Sequence, residues 1–168
     1  VLLISQNGYA LRFNIEEVPV VGAKAAGVKA MNLKEDDILQ SAFICNTSSF
    51  YLLTQRGSLK RVSIDEIPAT SRAKRGLQVL RELKNKPHRV FLAGAVVEQG
   101  FIGDLFSTEV EENDQMLLVQ SNKGTFYESR LQDLNLSERT SNGSFISDTI
   151  SDEEVFDAYL KEVFPEAK

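Results

Sequence analysis

The chain repeats one sequence pattern three times, and this repetition limits the folds that it can adopt. Each copy opens with an apolar run, passes through a polar turn that ends in glycine, and reaches a second glycine 19 residues later. The glycine pairs are Gly8/Gly27, Gly57/Gly76 and Gly124/Gly143. Self-similarity at a period near 50 residues predicts an array of similar units, as in propellers and solenoids, rather than one irregular core.

Each copy predicts about four short β-strands. The first two form a hairpin, because the turns end in dipeptides that suit tight hairpins: Asn7-Gly8, Arg56-Gly57 and Lys123-Gly124. Glycine and asparagine tolerate the positive φ angles that such turns require. A third strand-like stretch follows the second glycine, and an apolar strand ends the first two copies, at 38–44 and 90–97. The pattern predicts an all-β fold built from about three four-stranded blades, as in propeller-like proteins.

The copies predict a single domain over residues 1–168. Its predicted parts are blades at about 1–50, 51–97 and 115–150, an acidic insertion at 98–114 and a C-terminal helix at 151–164. The aromatic residues of the predicted strands are expected in the core rather than as base-stacking platforms; they are Phe13, Phe43, Phe50, Tyr51 and Phe91.

The predicted C-terminal helix depends on two local signals. Ser151 is followed three residues later by Glu154, which is the spacing of a capping box. Apolar residues then recur at helical spacing, namely Phe156, Tyr159, Leu160, Val163 and Phe164. We expect this helix to cover an exposed sheet edge or the end of the core, and docking to another part of a parent protein is the alternative.

The net charge of −5 hides a very uneven distribution along the chain. Residues 1–50 have a net charge of −1, residues 51–100 of +6 and residues 101–168 of −10. Such a distribution indicates what kinds of partner each part attracts. The second copy can attract a polyanion, whereas the last third repels one.

The basic residues of the second copy occupy its hairpin, the loop before Gly76 and the segment that follows. They are Arg56, Lys60, Arg61, Arg72, Lys74, Arg75, Arg81, Lys84, Lys86 and Arg89. Phosphates need only a positive charge or an arginine fork, so a surface of this kind binds a nucleic-acid backbone without reading bases. The alternative interpretation is an ordinary solvated charged face.

The sequence gives little support for catalysis or for a cofactor. His88 is the only histidine and has no partner visible in the sequence, so we interpret it as a loop histidine. No group of cysteine, histidine and carboxylate residues has the spacing of metal ligands, and no phosphate-binding glycine motif occurs. We therefore predict no cofactor and no metal. No apolar run is long enough for a membrane span, and the single cysteine, Cys45, is consistent with a reducing cytoplasm.

The repeated motif resembles the C-terminal domain of the A subunit of bacterial type IIA topoisomerases. The motif comprises a strand, a turn ending in glycine, basic residues, an acidic-Ile-Pro segment and an arginine-rich loop ending in glycine, and in the second copy it occupies residues 52–61, 65–68 and 72–76. The resemblance implies a β-pinwheel, a propeller-like array in which neighbouring blades exchange strands. It also implies a convex perimeter that binds and bends duplex DNA, with strand cleavage, ATP hydrolysis and magnesium binding located elsewhere in the enzyme.

The resemblance also implies which residues contact DNA. The predicted set is Arg12, Lys24, Arg56, Lys60, Arg61, Arg72, Lys74, Arg75, Arg81 and Lys84. In the third copy Glu128 stands where the second has Arg61, so DNA contact is expected mainly in the second. No copy has the glycine-rich basic box of gyrase, which favours topoisomerase IV over the equivalent gyrase domain.

The implied partners are duplex DNA, the remainder of the topoisomerase A subunit and, through it, the B subunit. We expect an isolated domain to be monomeric and without catalytic activity, in a cytoplasmic, nucleoid-associated enzyme with no membrane contact. A different class of function stays open, namely a propeller-type protein-interaction module that uses the acidic C-terminal third.

Overall fold

The all-β architecture is confirmed by the structure, a computed structural model that describes residues 1–97 and 114–163. Apart from Asp114, the predicted acidic insertion lies outside the described residues. The strands of the described residues are β1 Leu2–Ser5, β2 Tyr9–Arg12, β3 Leu39–Phe43, β4 Ser49–Thr54, β5 Ser58–Ser63, β6 Leu77–Gln78, β7 Val90–Val96, β8 Asp114–Ser121, β9 Phe126–Arg130, β10 Ser144–Phe145 and β11 Val155–Val163. Four short 3-10 helices join them, at Ile15–Glu17, Ile64–Glu66, Leu131–Asp133 and Asp148–Asp152.

The strands form three antiparallel sheets, which we call blades 1, 2 and 3. Blade 1 has the order β3-β1-β2-β6, blade 2 the order β10-β5-β4-β7 and blade 3 the order β11-β8-β9. Strand β6 belongs to the second copy but pairs with β2 of the first, and β10 of the third copy pairs with β5 of the second. Neighbouring copies thus exchange a strand, as the resemblance to a pinwheel implies.

The acidic segments after the first two hairpins form 3-10 helices, and the second one turns the chain from blade 2 toward blade 1. Each begins with a side-chain cap: Asn14 accepts a hydrogen bond from the Glu16 N–H, and Ser63 accepts one from the Asp65 N–H. After the second turn the chain reaches blade 1, where the Thr70 N–H donates to the Arg12 carbonyl over 2.9 Å.

Three hydrophobic clusters form the cores, and β4 contributes to the two that lie between blades, while the third, with Phe13, lies within the first copy. Phe50 and Leu52 pack toward blade 1, while Tyr51 and Leu53 pack toward blade 3. Every residue of β4 is buried, because this strand lies in the middle of the array. The predicted core aromatics are confirmed: Phe13, Phe50 and Tyr51 are buried, and Phe43 and Phe91 pack against the cores while half-buried.

The predicted C-terminal helix is wrong. Residues 155–163 form β11, which pairs antiparallel with β8 from Val155↔Ser121 to Val163↔Asp114. Ser151 lies in a 3-10 helix capped by Ser147, and its hydroxyl donates to the Asp148 carbonyl.

Long-range pairing explains why the local helix signals fail. The backbone groups of β8 need a partner strand, and β11 supplies it along the whole length of β8. Ala158 and Leu160 pack on the core, whereas Phe156 and Tyr159 are 69% and 54% exposed, so the apolar residues do not share one buried helical stripe. The segment does cover a sheet edge, but as a strand. Phe164 lies outside the described residues.

We predict that the equivalent glycines of the first two copies respond differently to alanine. Gly27 and Gly76 both have positive φ angles, +81° and +87°, so alanine is strained at either position. A Cβ at Gly27 meets nothing within 4 Å, whereas one at Gly76 overlaps the Ala10 carbonyl where β6 joins β2. Urea unfolding should show a loss of about 1–2 kcal/mol for Gly27→Ala and a clearly larger loss for Gly76→Ala. Equal losses would contradict the tight junction between the copies.

Candidate nucleic-acid interface

The arginine-rich loop of the second copy, residues 71–76, packs against the first copy; we call it the basic loop. The Ala73 N–H donates to the Ala30 carbonyl over 2.8 Å, and the Asn32 N–H donates to the Lys74 carbonyl over 2.9 Å. Main-chain hydrogen bonds on both sides of Ala73 therefore hold the loop in one conformation. A rigid loop can present charge without a large loss of conformational entropy on binding.

The three cations of the basic loop have different environments. Arg72 is half-buried and anchors the loop, because its guanidinium donates to the Lys29 carbonyl. Lys74 and Arg75 are exposed. The Lys74 ammonium donates to the Thr70 hydroxyl over 2.8 Å, and the Arg75 guanidinium lies 5.7 Å from the Tyr9 ring centroid. Lys74 and Arg75 are thus positioned by neutral groups, and within residues 1–97 and 114–163 no carboxylate pairs with either of them.

The other predicted contact residues lie at several places around this loop and beyond it. Arg12 is half-buried, and its main chain pairs with the segment leading into the basic loop. Arg61 is half-buried, and its Nε donates to the Ser49 hydroxyl over 2.8 Å. Lys24, Arg81 and Lys84 are exposed.

Lys60 is the exception among the predicted contact residues, because it lies in the interior. It is 2% exposed, and its ammonium donates to the carbonyls of Val79, Arg139 and Ser141 over 2.5, 2.7 and 2.8 Å. Burial lowers the pKa of Lys60 to about 7; Glu66 opposes this shift and Arg139 adds to it. Lys60 therefore joins the second and third copies and is not available to a phosphate.

The sequence contained a signal for this burial. Lys60 alternates along β5 with Arg61 and shares a strand face with Val62, which is fully buried. The positions equivalent to Lys60 in the other copies are Leu11 and Tyr127, neither of them charged. Period-two reasoning would have placed Lys60 inside and Arg61 outside.

The turn of the blade 2 hairpin, residues 55–57, carries a further cation, Arg56, apart from those of the basic loop. Arg56 Nη1 donates to the Lys86 carbonyl over 3.0 Å and lies 3.1 Å from His88 Nε2, while its guanidinium carbon is 5.7 Å from the Phe145 ring centroid. Because a guanidinium can only donate, Nε2 must be the acceptor. The imidazole proton is then on Nδ1, which lies 3.1 Å from the Thr54 hydroxyl oxygen.

His88 lies in the loop before β7, as the sequence suggested, but it is buried and has specific partners. Burial lowers its pKa below 6.5, and the neighbouring Arg56 lowers it further. The two partners, Thr54 and Arg56, precede it by more than 30 residues, so no local pattern could have identified them.

A polar cleft of about 570 Å³ lies beside the blade 2 turn, where the turn meets blade 3. Its lining includes the cations Arg56, Lys86 and Arg89 and the carboxylates Asp152, Glu153 and Glu154. Arg89 pairs with Glu82 over 3.4 Å. The cleft is therefore the boundary between the basic second copy and the acidic third.

Comparison with known proteins identifies the family. The model of the DNA gyrase C-terminal domain, a beta-propeller, matches residues 1–46 and 49–96. The chain belongs to this family.

Several relatives within the family are A subunits of topoisomerase IV. The chain is 90% identical over its whole length to the A subunit of DNA topoisomerase 4 from Streptococcus pneumoniae serotype 4, covering 20% of that protein. It is 44% identical over 88% of its length to the corresponding protein of Bacillus subtilis, covering 17% of that protein. The chain thus spans about a fifth of the length of these relatives.

Solved structures agree with this assignment. The C-terminal domain of DNA topoisomerase IV matches 96% of the chain with a TM-score of 0.79 at 35% identity, and the chain covers 46% of that structure. The gyrase A C-terminal domain, at 20% identity and a TM-score of 0.66, shares the fold. The predicted resemblance to the topoisomerase IV domain is confirmed. In the described residues no helix has the length and apolar character to cross a membrane.

We predict that Lys60 contributes to stability. Lys60→Met keeps most of the side-chain volume but leaves three carbonyl oxygens without their shared donor. Urea unfolding should show a loss of about 1–3 kcal/mol. The control Lys84→Met removes an exposed ammonium and should stay within about 0.5 kcal/mol of the parent chain. A Lys60→Met variant as stable as the control would show that the buried ammonium is dispensable.

We also predict a pH dependence of stability from His88. Its folded pKa lies below the ordinary 6.5, so just below that pH the unfolded chain binds more protons than the folded one. The free energy of unfolding should therefore fall as the pH drops from about 7.5 to about 5.5, and His88→Gln should remove this part of the decrease. Urea unfolding of both proteins across this pH range isolates the contribution of the imidazole, because the two chains differ only at residue 88. Parallel curves for the two proteins would argue against a neutral buried imidazole.

Proposed function

We propose that this chain binds duplex DNA through its basic second copy, without base specificity, and bends it. The observation that carries the proposal is the rigid basic loop, on which Lys74 and Arg75 are exposed and have neutral neighbours. Unpaired cations at fixed positions neutralise backbone phosphates and release counterions. Contacts from cations to phosphate oxygens carry no sequence information, so this binding is without base specificity.

The relatives support a place for this activity in a larger enzyme. They are A subunits of DNA topoisomerase 4, of which the chain covers about a fifth. In that setting the domain helps a catalytic core to select and engage DNA segments, and cleavage and ATP hydrolysis belong to other parts of the enzyme. Its protein partners are then the remainder of the A subunit and, through it, the B subunit. The isolated domain is monomeric, and the enzyme is cytoplasmic and associated with the nucleoid.

A second candidate function is a protein contact made by blade 3. This blade exposes three large aromatic side chains, namely Phe126 on β9 and Phe156 and Tyr159 on β11. Its surroundings are acidic, so it attracts a protein surface more readily than DNA. The remainder of the parent protein is the partner expected for such a surface.

We predict that neutralising exposed cations of the second copy reduces the salt dependence of DNA binding. The variant Lys74→Gln/Arg75→Gln/Arg81→Gln should flatten the slope of log K against log salt by about 0.9 for each phosphate that is no longer neutralised. Fluorescence anisotropy with a random-sequence duplex measures this slope. The matched control, Lys123→Gln/Lys161→Gln on blade 3, should leave it nearly unchanged.

Two results would count against DNA binding by the second copy. One is the absence of measurable affinity for the duplex at low salt. The other is a slope that the blade 3 control reduces as much as the second-copy variant does. Undiminished binding to the remainder of the A subunit in the second-copy variant, together with either result, would favour the protein-interaction function.

A further inference from the structure

The three hairpin turns have the same main-chain anchor. In each copy, the first residue of the turn donates its N–H to a carbonyl at the start of the strand that completes the copy. The pairs are Gln6 to Ile38, Gln55 to Arg89 and Asn122 to Glu154, at 2.9, 3.0 and 2.8 Å. The residue before each acceptor therefore occupies the same place beneath its turn. These residues are Asp37, His88 and Glu153.

In the first and third copies this place holds a carboxylate. Asp37 accepts hydrogen bonds from the N–H groups of Asn7 and Ile38 over 2.9 and 3.0 Å, and the turn above it has no cation. Glu153 lies 3.9 Å from the Lys123 ammonium, so the cation of the third turn is compensated. The first turn therefore offers no positive charge, and the charge of the third is offset by a neighbouring carboxylate.

In the second copy the carboxylate is replaced by a neutral imidazole. His88 Nε2 accepts from Arg56, which orients the guanidinium without cancelling its charge. Within residues 1–97 and 114–163, no ion pair forms at Arg56. Both of its hydrogen bonds use Nη1, which leaves the donors of Nη2 and Nε for another acceptor. A free fork of this kind suits a phosphate.

We propose that His88 is a positioning residue that makes Arg56 a phosphate-binding group, and that the carboxylates at the equivalent place exclude the other two turns from DNA. The proposal rests on the proposed function, because the phosphate is that of the bound duplex. Lys86 lines the same polar cleft and adds positive potential, whereas Arg89 is paired with Glu82. The carboxylates of Asp152, Glu153 and Glu154 also line the cleft, and they keep the duplex to the blade 2 side.

The test replaces His88 by glutamate, the residue that the third copy has at the equivalent position. In His88→Glu the new carboxylate pairs with Arg56. The slope of log K against log salt for a random-sequence duplex should then flatten by about 0.9, which corresponds to the loss of one phosphate contact. Arg56→Gln should give the same fall, and the double variant no further one. His88→Gln keeps a neutral acceptor and should retain the parental slope.

A matched control separates local pairing from the loss of overall charge. Asn85→Asp adds one negative charge to the exposed stretch that precedes the buried His88, at a residue that is not among the hydrogen-bond partners of Arg56. It should change the slope much less than His88→Glu does. Equal effects of the two variants, or a loss in His88→Gln as large as in His88→Glu, would overturn the proposal.

A second measurement uses the unmodified histidine, in case His88→Glu does not fold. His88 is the single histidine of the chain, so its ring protons give an unambiguous NMR titration. A phosphate held by Arg56 favours the imidazolium and should raise the pKa of His88 when duplex is added. The rise should be much smaller in Arg56→Gln, and equal rises would overturn the proposal.

The two proposals fail in different ways. If the chain does not bind duplex DNA, the anisotropy of the parent chain itself shows no salt-dependent binding. If it binds DNA through the basic loop and Arg81 but not through Arg56, the Lys74, Arg75 and Arg81 substitutions flatten the slope while His88→Glu and Arg56→Gln do not. The second outcome overturns only the role of His88 and Arg56.

Discussion

The exchange of strands between copies is the constraint on which the rest of the structure depends. Blade 1 is completed by β6 and blade 2 by β10, each from the following copy. An isolated copy would leave the main-chain donors and acceptors of its outer strand without partners, which is unfavourable where they are buried. The loop that leads into each exchanged strand is therefore held between two copies. This is why the basic loop is rigid although it lies on the surface.

The same exchange explains why two lysines of the second copy have opposite roles. Lys60 lies where the loop of the third copy returns to blade 2, and three carbonyls converge there on one ammonium. The Lys60 ammonium satisfies these three carbonyl oxygens and is removed from solvent. Lys74 lies on the outer side of the equivalent junction between the first and second copies, where its ammonium is exposed and donates to the Thr70 hydroxyl. Position relative to the exchanged strand, rather than residue type, decides which cations face a ligand.

Much of the fold could be predicted because it is encoded locally and then repeated. The glycine spacing, hairpin turns and apolar runs predict three blades, and the buried faces of β4 follow from its continuous apolar sequence. The C-terminal segment could not be predicted in this way. It forms a strand because it pairs with β8, and the paired residues are 34 to 49 positions apart in the sequence. Likewise, the pairing of β7 with β4 is what brings His88 next to Thr54 and Arg56. Local patterns identify elements, but long-range pairing decides which side chains meet.

Because the scaffold is common to the three copies, differences in charge arise from single side chains at equivalent positions. Asp37, His88 and Glu153 have the same main-chain surroundings beneath their turns, and each contacts the turn above it or the strand beside it. A carboxylate at this place cancels a neighbouring cation, whereas a neutral imidazole orients it at full charge. The electrostatic potential at the surface can therefore change from one blade to the next while the backbone stays the same. The polar cleft, which is lined by cations of the second copy and carboxylates of the third, is the place where that change occurs.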